Sequence, residues 1–142
     1  MKVSDILHEK GSNVLTVVRS DSVSKAVDIL GEHNVGVVVV LGDVGEVCGI
    51  LSERDIVRRL RESGSSALEG SIGKCMTPDP FTSDLEATVD ELMGVMSQKR
   101  IRHMPVVDGG KLVGLVSIGD LVKRKIEQAE REAAAMRDYI AS

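Results

Sequence analysis

The sequence has few aromatic residues: one phenylalanine, Phe81, one tyrosine, Tyr139, and no tryptophan among 142 residues. Stacking of nucleobases on aromatic rings, which many single-stranded nucleic-acid binders use, is therefore nearly excluded. The formal net charge of −4 points the same way, because proteins that hold nucleic acid need surplus lysine and arginine to neutralise phosphates. We therefore do not expect nucleic acid as the main partner.

Long apolar runs and clustered metal ligands are also missing. No stretch approaches the roughly 18 to 20 apolar residues of a membrane-spanning helix, and residues 1–5 lack the apolar region of a secretory signal. The two cysteines, Cys48 and Cys75, and the three histidines do not have the spacing of a metal site. We expect a cytoplasmic protein with reduced thiols, no metal site and no membrane partner.

An internal repeat is the main feature that the sequence does contain. Residues 49–59 read GILSERDIVRR, and GLVSIGDLVKR follows 65 residues later over residues 114–124. Further upstream, residues 3–7 resemble residues 72–76. Such self-similarity indicates two copies of one structural unit. Because about 60 residues make a marginal core alone, we expect the copies to pack together as one pseudo-symmetric module.

Each copy has the pattern of a β-α-β-β-α unit. A short strand is expected at residues 15–17 and 81–83, followed by an amphipathic helix over 22–33 and 88–99. A hairpin with a glycine-rich turn comes next, and its second strand leads into another helix. The unbroken apolar run of residues 37–40 predicts a sheet covered on both faces. The predicted fold class is therefore α/β (α+β), with an extended C-terminal helix.

The predicted domains are residues 1–61 and 72–126, joined by a polar linker over 62–71 and followed by a helical extension over 127–142. Apolar residues in the last helix recur at steps of four and three residues, the spacing of a heptad seam. The seam consists of Val122, Ile126, Ala129, Ala133, Met136 and Ile140. It either packs back on the chain or meets a partner helix. Because it runs past the repeat unit, we favour a homodimer across a twofold axis.

The repeated segment carries Ser-x-x-Asp at a predicted helix start, once as Ser52 and Asp55 and once as Ser117 and Asp120. Such a pair is commonly a helix capping box. It can also hold a ligand, because a carboxylate can accept both hydroxyls of a ribose. A serine beside free backbone N–H groups can hold a phosphate. Arg54 adds a planar donor suited to phosphate in the first copy.

The glycine at the start of each repeated segment supports the ligand interpretation, since a residue without a side chain leaves room for close approach. These glycines are Gly49 and Gly114. Capping and ligand binding do not exclude each other, so both roles are expected of the motif.

The doubled Gly-h-h-Ser-x-x-Asp motif after a hairpin, together with the proline-containing strand over residues 101–107, resembles the cystathionine-β-synthase-type (CBS) domain. The chain is similar to a tandem pair of such domains, a Bateman module, of the small stand-alone bacterial kind. The resemblance covers about residues 3–126. It implies two clefts between the repeats that bind adenine nucleotides, and commonly homodimerisation. AMP is the first ligand expected, with ADP, ATP, S-adenosylmethionine or NAD(H) as alternatives.

Carried onto this sequence, the resemblance implies that Asp55 and Asp120 accept the ribose hydroxyls. It implies that Ser52 and Ser117 hold phosphate, with Arg54 neutralising it in the first cleft. The function implied is a non-catalytic sensor of energy or redox state that regulates a partner protein, which the sequence does not identify.

The adenine is expected among apolar strand residues, with backbone groups near Thr16 and Thr82 reading its edge. The apolar candidates are Val17, Val38, Phe81, Met104 and Pro105. Gly119 stands in the second copy where the first has Arg54. Arg102 and His103 are the expected substitutes for that cation, so the two sites should bind unequally.

Two other functions are left open. One is a structural homodimerisation module with vestigial sites. The other is a small nucleotide-processing enzyme, which needs a nucleophile, a base or a metal site. The sequence offers no Ser/His/Asp or Cys/His grouping, so we expect neither an enzyme nor a catalytic cofactor.

Overall fold

The computed structural model describes residues 1–142. The helices are α1 (Val3–Lys10), α2 (Val23–His33), α3 (Glu53–Ser63), α4 (Ile72–Cys75), α5 (Val89–Lys99) and α6 (Ile118–Ala141), with a 3-10 helix over Gly64–Glu69. The strands are β1 (Thr16–Val18), β2 (Val37–Leu41), β3 (Val47–Ser52), β4 (Thr77–Pro78), β5 (His103–Asp108) and β6 (Lys111–Ser117). The mixed architecture and the extended last helix confirm the predicted fold class.

The strands form a four-stranded sheet in the order β1-β2-β3-β4 and a separate β5-β6 hairpin. Strand β1 runs parallel to β2, whereas the other pairs are antiparallel. Val38, Val39 and Val40 on β2 are completely buried, as the unbroken apolar run predicts for a sheet covered on both faces. The hairpin turns contain Gly45, Gly109 and Gly110, all at positive φ.

The strand predicted over residues 81–83 is reduced to a single bridge between Ser83 and Val106. The reason is a residue on the neighbouring strand. In the first repeat the Val39 N–H donates to the carbonyl of Leu15 at 3.1 Å. The corresponding residue of the second repeat is Pro105, which has no N–H to donate, so the ladder loses this bond.

The two hydrophobic cores exchange chain segments. Helix α1 packs into the core of the second repeat, and Ile72 of α4 belongs to the core of the first. Backbone hydrogen bonds hold both exchanges in the same way. The Val3 N–H donates to the carbonyl of Ala87 at 2.8 Å, and the Ile72 N–H donates to that of Asp21 at 2.8 Å. Each repeat therefore completes its core with the short helix that precedes the other repeat in the chain.

The opening glycines of the motif make room for these exchanged segments rather than for a ligand. A Cβ added at Gly114 would lie 2.6 Å from both Cδ atoms of Leu7, on α1. A Cβ at Gly49 would collide with the side chain of Met76, which follows α4. The expectation that these glycines admit a ligand is therefore corrected: the space is filled by the chain itself.

The segment predicted as a polar linker is structured. Helix α3 continues to Ser63, and the 3-10 helix leads on to α4. Ala67 within it is only 4% exposed, and Leu68 packs against the first core. These two apolar side chains thus pack the connecting segment against the first repeat.

Helix α6 packs on the second repeat only through its first turns. Leu121 is fully buried, and the Lys125 ammonium lies 2.8 Å from the Asp90 carboxylate on α5. Along the predicted seam, Ile126 is 54% exposed, Met136 60% and Ile140 76%. The seam therefore does not pack back on the chain. No helix, α6 included, combines the length and apolar content needed to cross a membrane.

Crowding at Gly114 gives a test of the exchange. Gly114→Ala should lower the free energy of unfolding by about 1–3 kcal/mol, because the new methyl group overpacks against Leu7. Leu7→Ala in the same chain should show a favourable coupling of about 0.5–3 kcal/mol in denaturant titrations. Gly94→Ala is the control, since no atom lies within 4 Å of an added Cβ there. It should be stabilising by about 0.5–1 kcal/mol. Strictly additive effects of Gly114→Ala and Leu7→Ala would contradict the contact.

Candidate functional site

Both Ser-x-x-Asp motifs form capping boxes at helix N-termini. At α3, the Asp55 N–H donates to Ser52 Oγ at 3.2 Å, and the Ser52 N–H donates to Asp55 Oδ2 at 3.0 Å. At α6, the corresponding bonds between Ser117 and Asp120 measure 3.1 and 2.9 Å. The capping role is thus present in both copies. It places a serine hydroxyl and a carboxylate together at each helix start, where the helix dipole favours negative charge.

Asp55 receives a further hydrogen bond from the exchanged segment that follows α4. Thr77 Oγ1 donates to Asp55 Oδ1 at 3.2 Å, and Ser52 Oγ donates to Oδ2 at 3.1 Å. Arg58, one turn along α3, lies 3.7 Å from Oδ1 but is 62% exposed. With 9% of its side chain exposed, this carboxylate is nearly enclosed by neutral hydroxyl donors.

Asp120 is met by the other exchanged segment, and there the donor is charged. Lys10 Nζ, in the last turn of α1, donates to Asp120 Oδ2 at 2.6 Å and to the Leu115 carbonyl at 2.9 Å. The Asp120 side chain is 24% exposed and the Lys10 side chain 41%. Within the carboxylate, Oδ2 accepts the bonds from both Lys10 and the Ser117 N–H, and Oδ1 accepts none.

The two donors differ because the two exchanged helices end differently. Helix α1 runs to Lys10 and stops at Gly11, which adopts a φ of 96°. Helix α4 stops at Cys75, because Pro78 disfavours a helical conformation for the residue before it. The chain enters β4 instead, which pairs with β3 and brings Thr77 over Asp55.

The ion pair with Lys10 sets the electrostatics of the second site. Burial alone would raise the pKa of the Asp120 carboxyl, but the Lys10 ammonium and the hydrogen bonds from Ser117 outweigh it and lower this pKa. Burial lowers the pKa of His103, and the charges of Lys10 and Arg102 lower it further against the opposing effect of Asp120. These surroundings therefore favour the neutral form of the His103 imidazole.

Arg102 and His103 lie where the motif and β5 meet. His103 pairs with Ser117 in the hairpin register, and the Ile118 N–H donates to the Arg102 carbonyl at 2.8 Å. The Arg102 side chain is exposed, and His103 is half-buried. In the first repeat, Arg54 is also exposed, on the first turn of α3. Cations are thus available near both helix starts.

The expected adenine-binding residues divide into buried and exposed groups. The structure places four of them in the hydrophobic interior, where their side chains present almost no surface: Val17, Val38, Met104 and Pro105. Phe81 is 49% exposed and lies beneath the ammonium of Lys99, 5.4 Å from the ring centroid. Thr82 is exposed as well.

Thr16 lines an open cavity of about 410 Å3 between the repeats. Residues of the α1–β1 loop, of the β2–β3 hairpin and of β6, among them Ser12 and Lys111, form its other walls. Neither motif aspartate lines this cavity.

Lys10 and Thr77 are the residues at these sites that sequence reasoning missed. The available signal was the similarity between residues 3–7 and 72–76, because Lys10 and Thr77 follow shortly after these matched segments. The repeat places the segments at corresponding positions, but it does not reveal that each packs on the other repeat.

A pair of α/β repeats with a capped Ser-x-x-Asp in each defines a tandem, pseudo-symmetric module. The family model described as "CBS domain" matches residues 3–62 and again 70–127. The chain therefore belongs to the CBS domain family and contains two CBS domains. No group of three or more histidine, cysteine or acidic side chains is placed to hold a metal ion.

Several relatives share most of the chain. CBS domain-containing protein CBSX3, mitochondrial, of Arabidopsis thaliana is 33% identical over 146 residues, covering 97% of this chain and 71% of its own. The crystal structure of the CBS-domain containing protein ATU1752 from Agrobacterium tumefaciens has 39% identity and a TM-score of 0.81, covering 87% of this chain and 92% of its own. The CBS domain pair of protein MJ0100, in complex with 5-methylthioadenosine and S-adenosyl-L-methionine, has 26% identity and a TM-score of 0.78, covering 90% and 98%.

The pKa of Asp120 provides a test of the ion pair. Lys10→Met should raise this pKa, because burial is then opposed only by the Ser117 hydrogen bonds. The loss of unfolding free energy should be below about 1 kcal/mol, as expected for a partly exposed pair. This difference should be complete above the ordinary carboxyl pKa of 3.8 and shrink as the pH falls through the lowered value of the folded protein. Carboxyl-carbon NMR titration measures the pKa, and an unchanged value would show that Ser117 alone holds the carboxylate ionised.

Proposed function

We propose that this protein is a non-catalytic regulatory module that binds an adenine nucleotide at each Ser-x-x-Asp motif, AMP being the first candidate. The observation that carries the proposal is the pair of capped carboxylates, each lying between a helix start and the segment exchanged from the other repeat. A carboxylate in this position can accept the ribose hydroxyls, while the positive end of the helix dipole and a nearby arginine favour phosphate.

The complex of the CBS pair of MJ0100 with two adenosine compounds supports the choice of ligand class. For this chain, the exposed Arg54 at the first motif and the exposed Arg102 at the second favour a ligand that carries phosphate. Nucleotides with longer phosphate chains and NAD(H) share the adenosine part and remain the alternatives to test.

Regulation follows from where the ligand would lie. A ligand whose ribose hydroxyls take both oxygens of Asp55 or Asp120 competes with the hydrogen bond from the exchanged segment, Thr77 or Lys10. It therefore favours arrangements in which α1 or the α4–β4 segment has moved relative to the helix start. Binding shifts this equilibrium only by the difference in affinity for the two arrangements. A partner protein that contacts α1 or α6 would sense the change.

Binding is tested by thermal denaturation with AMP, ADP, ATP, S-adenosylmethionine and NADH. A ligand at 100 times its Kd should stabilise the protein by about 2.7 kcal/mol. Asp55→Asn and Asp120→Asn should each weaken binding at one site by about 10- to 100-fold, since a charged hydrogen-bond acceptor is lost while the amide oxygen still caps the helix. Asp108→Asn, at the far end of the β5-β6 hairpin, is the control for net charge.

The outcomes separate the three functions. A melting curve that no ligand moves would leave a structural module with vestigial sites. Conversion of a nucleotide during prolonged incubation would instead indicate an enzyme. Stabilisation without turnover, reduced by each aspartate variant and retained in Asp108→Asn, is the result expected of a binding module.

We also propose that the protein forms a homodimer through the exposed seam of α6. The seam runs from Val122, 40% exposed, to Ile140, 76% exposed, and its alanines allow close approach of a second helix. Val57 on α3, the counterpart of Val122, is 64% exposed and adds apolar surface from the first repeat. A twofold pairing would cover the same patch on both chains.

Two alanines, both exposed, give a matched test of the seam. Ala133→Glu places a charge on the seam and should convert the dimer to a monomer in light-scattering measurements. Ala135→Glu makes the same change on another face of α6 and should leave the dimer intact. Truncation after Ile126 should also give a monomer. A dimer that survives both Ala133→Glu and the truncation would rule out α6 as the main contact.

A further inference from the structure

The two motif carboxylates differ in the charge of the group that already occupies them. Lys10 Nζ lies 2.6 Å from Asp120 Oδ2, whereas Asp55 Oδ1 accepts from the neutral hydroxyl of Thr77 at 3.2 Å. Both donors come from the exchanged segments, so they occupy corresponding places in the two repeats. A ligand whose ribose hydroxyls take both oxygens of the carboxylate must therefore displace an ammonium from Asp120 Oδ2. At the first site it must displace the Thr77 hydroxyl from Asp55 Oδ1, beside the exposed Arg58 guanidinium.

Displacement of Lys10 leaves a cation without a partner. Its remaining acceptor is the Leu115 carbonyl at 2.9 Å, which carries no charge. A second cation, Arg102, lies near the same helix start, and after burial itself the charges of Lys10 and Arg102 contribute to the lowered pKa of His103. A ligand that supplies only ribose hydroxyls thus replaces a charge-assisted bond with weaker ones. A ligand that also brings an anionic group gives the ammonium a new partner.

We propose that Lys10 makes the second site selective for anionic adenine nucleotides over uncharged nucleosides, the role that Arg54 is expected to have at the first. This inference rests on the proposed function, since it assumes that adenosine compounds bind at the motifs. It adds the ligand class of one site and a residue outside the motif that determines it. It also accounts for the glycine at position 119, where the first repeat has the cation Arg54. In the second repeat, Lys10 of α1 supplies the cation instead.

The experiment titrates the full chain with AMP and with adenosine, and follows the backbone amides of Gly119 and Arg54 by NMR as separate reporters of the two sites. In the unaltered protein, both reporters should show a preference for AMP over adenosine, and only the preference at Gly119 should depend on Lys10. Lys10→Met should lower the affinity for AMP at the Gly119 reporter by about 10- to 100-fold, the usual effect of losing a charged hydrogen bond. Its affinity for adenosine should be unchanged or higher.

Two further variants keep the result interpretable. Lys10→Arg retains the charge and should retain the preference for AMP. Lys74→Met removes an exposed lysine that forms no ion pair, and it should leave the Gly119 reporter unchanged. Equal losses of AMP and adenosine affinity in Lys10→Met, or no loss, would overturn the selectivity while leaving the proposed function intact. If neither compound binds the unaltered protein at either reporter, the proposed function fails, and this inference fails with it.

Discussion

Leu7 fills the space beside Gly114, and Met76 fills the corresponding space beside Gly49. These two contacts anchor the exchange of α1 and α4 between the repeats, on which the rest of the structure depends. Each repeat alone is too small to bury a sufficient core. With the exchanged segment in place, each acquires a closed cluster of about ten buried side chains. Neither half is complete without the other, so the pair behaves as one module.

The same exchange determines the character of the sites. The chain that leaves each exchanged helix passes over the motif carboxylate of the other repeat and donates a hydrogen bond to it. The carboxylate is thereby shared between a helix cap, an exchanged segment and, in the proposed function, a ligand. At Asp120 the cap and Lys10 share Oδ2, whereas at Asp55 the cap uses Oδ2 and Thr77 uses Oδ1. In the proposed function, a ligand that takes both oxygens would therefore couple binding directly to the packing of α1 or α4, with no longer pathway through the core.

Much of the fold could be predicted from sequence because it follows from local patterns. The β-α-β-β-α unit, its hairpins and both capping boxes depend on apolar periodicity, glycine turns and Ser-x-x-Asp spacing, which act within a few residues. The prediction of a full strand over residues 81–83 was wrong, because Pro105 on the neighbouring strand has no N–H to donate to it. The interpretation of Gly49 and Gly114 was wrong for a related reason. Their neighbours, Met76 and Leu7, are 27 and 107 residues away along the chain.

The sequence by itself determined the repeat, the family resemblance and the motif residues. It also determined the difference between the two motifs, which have Arg54 in the first and Gly119 in the second. It placed Ser52, Asp55, Ser117 and Asp120 at helix starts because capping is a local interaction. Only the tertiary structure decided that Lys10 reaches Asp120 and Thr77 reaches Asp55. Those contacts depend on which core each short helix enters. Sequence periodicity shows that a helix has an apolar face, but it does not show which core buries that face.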